Sequence, residues 1–110
     1  MNKVVDINKK NNIEIEYLVK FNKPYIFEGQ EYTELDLSGL EDLTAKDMTE
    51  VDQQCLKNGI AYMQAEMSLP FLMRLAAKAS KKPLEFFDNM KIKESTKVKN
   101  RVMSFLYSMD

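Results

Sequence analysis

The chain has 110 residues, of which 45% are hydrophobic and 30% charged, and its formal net charge at pH 7 is −1. These values are ordinary for one small soluble domain, and no apolar run approaches the ~20 residues that a membrane span needs. The N-terminal stretch MNKVVDINKKNN lacks the apolar core of a signal peptide. We therefore expect a cytoplasmic protein with no membrane partner.

Few residues suit catalysis or metal binding. The single cysteine, Cys55, and the absence of histidine leave too few ligands for a zinc site and no Cys–His nucleophile pair. The acidic residues between Glu28 and Asp42 do not have the spacing of a calcium loop, and the three glycines lie too far apart for a phosphate-binding loop. We therefore predict no catalytic residues, no metal and no cofactor.

Charge is unevenly distributed along the chain. Residues 1–70 contain 7 Lys and Arg against 13 Asp and Glu, and residues 71–110 contain 9 against 4, so the two parts carry −6 and +5. Such asymmetry is found in proteins with a basic nucleic-acid face. It also arises when acidic and basic parts attract each other, within one chain or between copies. We favour the second interpretation, because the basic residues are mostly lysines without interleaved aromatic residues.

The first part of the chain predicts a small sheet. Residues 1–12 are polar and are expected to form a flexible tail. From Ile13 to Phe21, every odd position is apolar, which predicts a strand with one buried face. Asn22–Pro24 predicts a turn, and Glu28-Gly29 predicts the tip of a hairpin whose return strand ends at Leu37. Residues 13–37 are thus predicted to form a three-stranded antiparallel meander.

Residues 44–108 predict three to four helices. Thr44 and Asp47 predict a capping box at the start of the first, and Leu43 and Met48 have the spacing of a hydrophobic staple. The apolar stripe of this helix is Met48, Val51, Cys55 and Leu56, and Gly59 is expected to end it. The following residues 60–67 are apolar enough to be helical.

A central helix is predicted from Ser68 to Ser80, and a short one is predicted to begin after Pro83. Asp88 is the predicted N-cap of the last helix, residues 91–107, with a staple between Phe87 and Ile92. The expected buried stripe of that helix consists of Val98, Val102, Phe105, Leu106 and Met109. The overall prediction is one α+β domain over residues 13–110, with the meander packed on the helices.

The central helix is apolar over most of its circumference, on which Leu69 and Leu72 lie, while Arg74 and Lys78 share one stripe. Three short strands and two modest helices cannot cover it fully, so part of its surface is expected to meet another chain. Methionines on this surface are typical of adaptable binding grooves as well as of cores. The predicted protein-interaction residues are Arg74, Lys78, Lys81, Lys82, Met73, Phe86 and Phe87.

The order of these elements resembles a known family. Lys23-Pro24-Tyr25, Phe27–Tyr32, Leu72–Ala76, Asp88 and Phe105-Leu106 are similar to the matching segments of the small tail assembly chaperones of long-tailed bacteriophages. The similarity also includes Glu34–Leu37, Leu43–Asp47 and Leu84, and it covers roughly residues 20–107.

The resemblance implies a non-enzymatic protein in the cytoplasm of the bacterial host. It implies a tape measure protein as partner, which the chaperone coats until tail tube subunits polymerise around it. It also implies self-association and a frameshifted longer form. We further hypothesise that Arg74, Lys78, Lys81 and Lys82 contact the acidic meander of a neighbouring copy. Two alternatives remain open, a small DNA-binding regulator that uses the Lys-rich helix from Lys91 to Arg101 and a structural tail component.

Overall fold

The computed structural model describes residues 17–62, 64 and 68–108. In chain order, the elements are β1 (Leu18–Phe27), β2 (Gln30–Asp36), a 3₁₀ helix (Ser38–Asp42), α1 (Ala45–Lys57), α2 (Leu69–Ser80), α3 (Leu84–Asp88) and α4 (Ile92–Tyr107). The α+β class is therefore confirmed. The predicted tail (residues 1–12) and residues 13–16 of the predicted first strand lie outside the described residues.

The described residues form a two-stranded antiparallel sheet in place of the predicted three-stranded meander. The predicted turn at Asn22–Pro24 is wrong, because β1 continues through these residues as one strand with a bulge. Lys20 pairs with Glu34 and Tyr25 pairs with Tyr32, so four residues of β1 (21–24) lie opposite one residue of β2. Pro24 has no backbone N–H to donate to the ladder. In a bulge, the residue needs no ladder hydrogen bond, so the strand can continue past Pro24 without a turn.

Local signals at both ends of α1 are confirmed. The Thr44 N–H donates to Asp47 Oδ2 at 2.8 Å while the Asp47 N–H donates to Thr44 Oγ1 at 3.3 Å, which completes the predicted capping box. Gly59 has φ +71°, and the Ile60 N–H reaches the Cys55 carbonyl at 2.9 Å to close the helix.

Only half of the predicted apolar stripe of α1 is buried. Val51 and Cys55 are buried, but Leu56 is 69% exposed and Met48 is 40% exposed. The staple between Leu43 and Met48 stays a prediction. Ile60–Tyr62 are not helical, and residues 63 and 65–67 lie outside the described part of the chain.

Helix α2 is the central element, as predicted. It contacts the 3₁₀ helix, α1, α3 and α4. It buries Phe71, Leu72, Met73, Leu75, Ala76 and Ala79. Leu69, the first residue of this helix, is 45% exposed, so part of the apolar surface of α2 is left uncovered. Gly39 of the 3₁₀ helix lies so close to α2 that a Cβ at this position would overlap the Ala79 carbonyl oxygen.

The last helix has its predicted bounds to within one residue, but its predicted cap is wrong. Asp88 ends α3, and α4 begins at Ile92 after Lys91, which makes no side-chain capping hydrogen bond. Asp88 is therefore not the N-cap. The staple between Phe87 and Ile92 is also wrong, because Ile92 is 83% exposed. Val98 and Val102 are buried, while Phe105 and Leu106 pack at the edge of the core as predicted. Met109 lies outside the described residues.

Candidate protein-interaction surface

Three of the seven predicted interaction residues are buried in this chain. Phe86 is fully buried, Phe87 is 3% exposed and Met73 is 6% exposed. The Phe86 ring makes edge-on contacts with Tyr25 and Tyr32, each at a centroid distance of 5.0 Å. These contacts fasten α3 to the aromatic face of the sheet, and such pairs stabilise the fold beyond the area that they bury.

The four predicted basic residues differ in their surroundings. Lys78 joins α2 to α1, because its Nζ lies 2.7 Å from Glu50 Oε1 and 3.4 Å from Asp47 Oδ1. The side-chain hydrogen bond with Glu50 is the largest cause that raises the pKa of Lys78. Arg74 donates from Nη1 to the Pro70 carbonyl at 3.1 Å within its own helix.

Lys82 and Lys81 follow the C-terminus of α2. Lys82 Nζ lies 4.7 Å from the centroid of the Tyr32 ring, in the geometry of a cation–π contact. Lys81 is exposed and has a left-handed backbone with φ +60°. Of the seven predicted residues, only Lys81 is exposed, while the others are buried or half-buried, and the binding role of the set stays a prediction.

A cavity of about 380 Å³ lies between α2 and α3. Met73, Arg74 and Phe87 line it together with Leu69, so it brings together three of the predicted residues. Ile60 also lines it. Ile60 and Leu69 flank in sequence the segment that contains residues 63 and 65–67, which lie outside the described part of the chain.

A larger groove, of about 740 Å³, lies between the β1 bulge and the start of α4. We call it the β1–α4 groove, and its lining consists of residues 22–26, 89 and 91–94. Two apolar side chains on it are strongly exposed, Ile26 at 59% and Ile92 at 83%. Sequence reasoning missed this surface because it assigned Ile92 to a staple. The available signal was an isoleucine between Lys91 and Lys93.

A buried carboxylate holds the two sides of the groove together. Glu94, in the first turn of α4, is 7% exposed, and its Oε2 accepts from the backbone N–H groups of Asn22 at 2.8 Å and Lys23 at 3.4 Å. Its Oε1 lies 3.3 Å from Lys97 Nζ. Lys97 Nζ also donates to the Lys20 carbonyl and to Asn22 Oδ1, both at 2.8 Å. This pair of side chains therefore binds the bulge to α4.

Metal binding and thiol reactivity can be assessed for the described residues. Among them, no three or more potential metal ligands come together. Cys55 is buried, and burial raises the pKa of its thiol, which disfavours the reactive thiolate. Within the described part of the chain, no helix combines the length and the apolar character required to cross a bilayer.

One of three comparisons with known proteins agrees with the resemblance. The searches of curated proteins and of solved structures found no match. The model of one protein family, described as phage tail assembly chaperone proteins, E, or 41 or 14, matches residues 18–107. This match spans β1 through the end of α4, including both sides of the β1–α4 groove. The chain therefore belongs to the phage tail assembly chaperone family.

Proposed function

We propose that this chain binds the tape measure protein during phage tail assembly and keeps it soluble until tail tube subunits polymerise around it. It acts by binding alone, without catalysis, in the cytoplasm of the bacterial host. The match to the chaperone family over residues 18–107 carries this proposal. The β1–α4 groove supports it, because an open surface with exposed Ile26 and Ile92 can receive apolar side chains of another protein.

Self-association is part of the proposal. Copies of the chain associate through unlike charges, with Arg74, Lys78, Lys81 and Lys82 near the acidic hairpin of a neighbour. Lys81 is the most accessible of the four. We expect Lys81→Glu to reduce the average oligomer mass in light scattering at low salt. The matched control is Lys46→Glu, which reverses the charge of an exposed lysine of α1. An unchanged mass and salt dependence would contradict this arrangement.

A frameshifted longer form of the chain is a further proposed partner. It would share residues of this sequence and carry an additional C-terminal segment. Mass spectrometry of infected cells should detect peptides from both forms in one complex. No observation favours the DNA-binding alternative, and Lys97, within the Lys-rich helix, is engaged with β1 and Glu94.

Co-expression tests the main proposal. The tape measure protein is produced in bacteria alone, with this chain, or with an unrelated small protein at equal level, and its distribution between supernatant and pellet is measured. We expect it in the pellet when produced alone or with the unrelated protein, and in the supernatant, bound to this chain, when the two are produced together. The same distribution in all three cultures would refute the proposed function.

A further inference from the structure

We propose that the β1–α4 groove binds an acidic amphipathic helix, one whose apolar stripe is flanked by Asp and Glu, and that a segment of this kind in the tape measure protein occupies it. This inference rests on the proposed function and specifies the surface and the chemistry of recognition. It places the contact on residues 22–26, 89 and 91–94, and not on Lys81 and Lys82, which follow α2.

The apolar part of the surface comes from the two sides of the groove. Ile26 extends from β1 and Ile92 from the first turn of α4, and both line the same cavity. Ile92 is the most exposed of the large hydrophobic residues in the described part of the chain. A helix that places apolar residues at i, i+3 or i+4 and i+7 presents a stripe suited to such a groove.

The accessible charge on the groove is positive. Lys23, Lys91 and Lys93 line it, and none of the three has an ion-pair partner among the described residues. The only carboxylate of the lining is Glu94, which is buried and occupied by the bulge backbone and Lys97. Electrostatic complementarity therefore favours an occupant with carboxylates beside its apolar stripe.

The requirements of folding do not explain this arrangement. Lys91 is the N-cap residue of α4 and Lys93 lies in its first turn, where the helix dipole disfavours positive charge. Ile92, between them, is left in water. A cluster of residues that opposes local stability is typical of a functional site.

The backbone of the bulge indicates a helix as occupant. The N–H groups of Asn22 and Lys23 are bonded to Glu94, the Lys20 carbonyl is bonded to Lys97, and Pro24 has no N–H. An added strand would need free backbone donors and acceptors along this edge. A helix satisfies its own backbone and needs only the side chains of the groove.

Fluorescence anisotropy with synthetic peptides tests the inference. The probe is a labelled helical peptide of about 20 residues with one leucine stripe flanked by glutamates, and the matched peptide replaces every glutamate by glutamine. We expect the wild-type chain to bind the acidic peptide at least about tenfold more tightly, with an affinity that falls as salt rises. Equal affinity for the two peptides would overturn the inference.

Variants of the groove locate the site. We expect Ile92→Ser, and separately the double variant Lys91→Glu with Lys93→Glu, to weaken binding of the acidic peptide about tenfold or more. The control is Leu56→Ser, which removes an exposed apolar side chain from α1 and should change the affinity less than about twofold. Circular dichroism and urea unfolding verify that each variant is folded. Groove variants that bind as well as the control would contradict the inference.

Co-expression separates this inference from the proposed function. If the groove variants keep the tape measure protein as soluble as the wild-type chain does, the groove is not the site, and the proposed function stands. If the wild-type chain itself fails to keep the partner soluble, both the proposed function and the assignment of the occupant fail. If the groove variants change only the oligomer mass in light scattering, the occupant is a second copy and the inference is overturned.

Discussion

Replacement of Glu94 is the most informative test of how the groove is built. In Glu94→Ala, the N–H groups of Asn22 and Lys23 lose their acceptor, and Lys97 loses its ion-pair partner. A charge-assisted hydrogen bond in a site that is 7% exposed contributes about 1.5–3 kcal/mol, and a buried donor left unpaired costs about 1–3 kcal/mol. Since these contributions overlap, we expect the free energy of unfolding to fall by about 2–3 kcal/mol.

Urea unfolding measures the effect. With a slope near 1–3 kcal/mol per molar urea for a small protein, a loss of about 2–3 kcal/mol should lower the midpoint by about 0.7–3 M. Glu94→Gln retains an acceptor oxygen and should lose about 1 kcal/mol. The control Glu85→Ala removes an exposed carboxylate and should change stability by less than about 0.5 kcal/mol. A Glu94→Ala protein that unfolds at the same urea concentration as this control would refute the reasoning.

Three further predictions concern the rest of the fold. Gly39→Ala should lower the free energy of unfolding by about 1–3 kcal/mol in urea, because the new Cβ overlaps the Ala79 carbonyl oxygen and α2 must shift. A stability equal to that of the wild-type chain would contradict the close packing. The Thr44 backbone N–H and hydroxyl hold the pKa of Asp47 below its usual value, so the contribution of this carboxylate is present above pH 4 and is lost as pH falls through the lowered pKa. Between pH 5 and pH 2, the free energy of unfolding should therefore fall more for wild type than for Asp47→Asn. Parallel curves of unfolding free energy against pH would exclude this contribution of the Asp47 carboxylate. Burial, followed by the hydrogen bond to the Glu41 carboxylate, raises the pKa of Tyr17 to about 12. The contribution of Tyr17 to stability is thus present below pH 10 and is lost between pH 10 and 12. Over that range, Tyr17→Phe should lose less stability than wild type. An equal loss in both proteins would argue against this contribution of Tyr17.

The parts of the fold predicted correctly depend on neighbours in sequence. Thr44 and Asp47, which form the capping box, are three positions apart in sequence. Gly59 ends α1 through hydrogen bonds within the adjacent turn. The burial of α2 also follows from its own composition. In each case, the residues that decide the structure are visible within one short window.

The wrong predictions concern segments whose structure depends on contacts with residues distant in sequence. A turn and a bulge have the same local signals at Asn22–Pro24, and the structure is decided by Glu94 and Lys97, more than 70 residues further along the chain. The start of α4 has no side-chain cap, so the nearby Asp88 was the stronger signal. The exposure of Ile92 depends on which elements pack beside it, and the sequence around Ile92 does not predict this packing.

The predicted interaction residues show the same limit. Met73, Phe86 and Phe87 have the character of binding residues, but apolar residues of this kind also form cores, and here they are buried. The β1–α4 groove joins residues 22–26 to residues 89 and 91–94, and only the folded chain brings these two parts of the sequence together.

The most direct test of the proposed function is the state of the tape measure protein in infected cells that make no tail tube protein. Cells infected with phage that retain this gene are compared with cells whose phage lack it, and the tape measure protein is measured in supernatant and pellet after centrifugation. Our account predicts soluble tape measure protein bound to this chain in the first case and aggregated or degraded protein in the second. Soluble tape measure protein at the same level in both would contradict it.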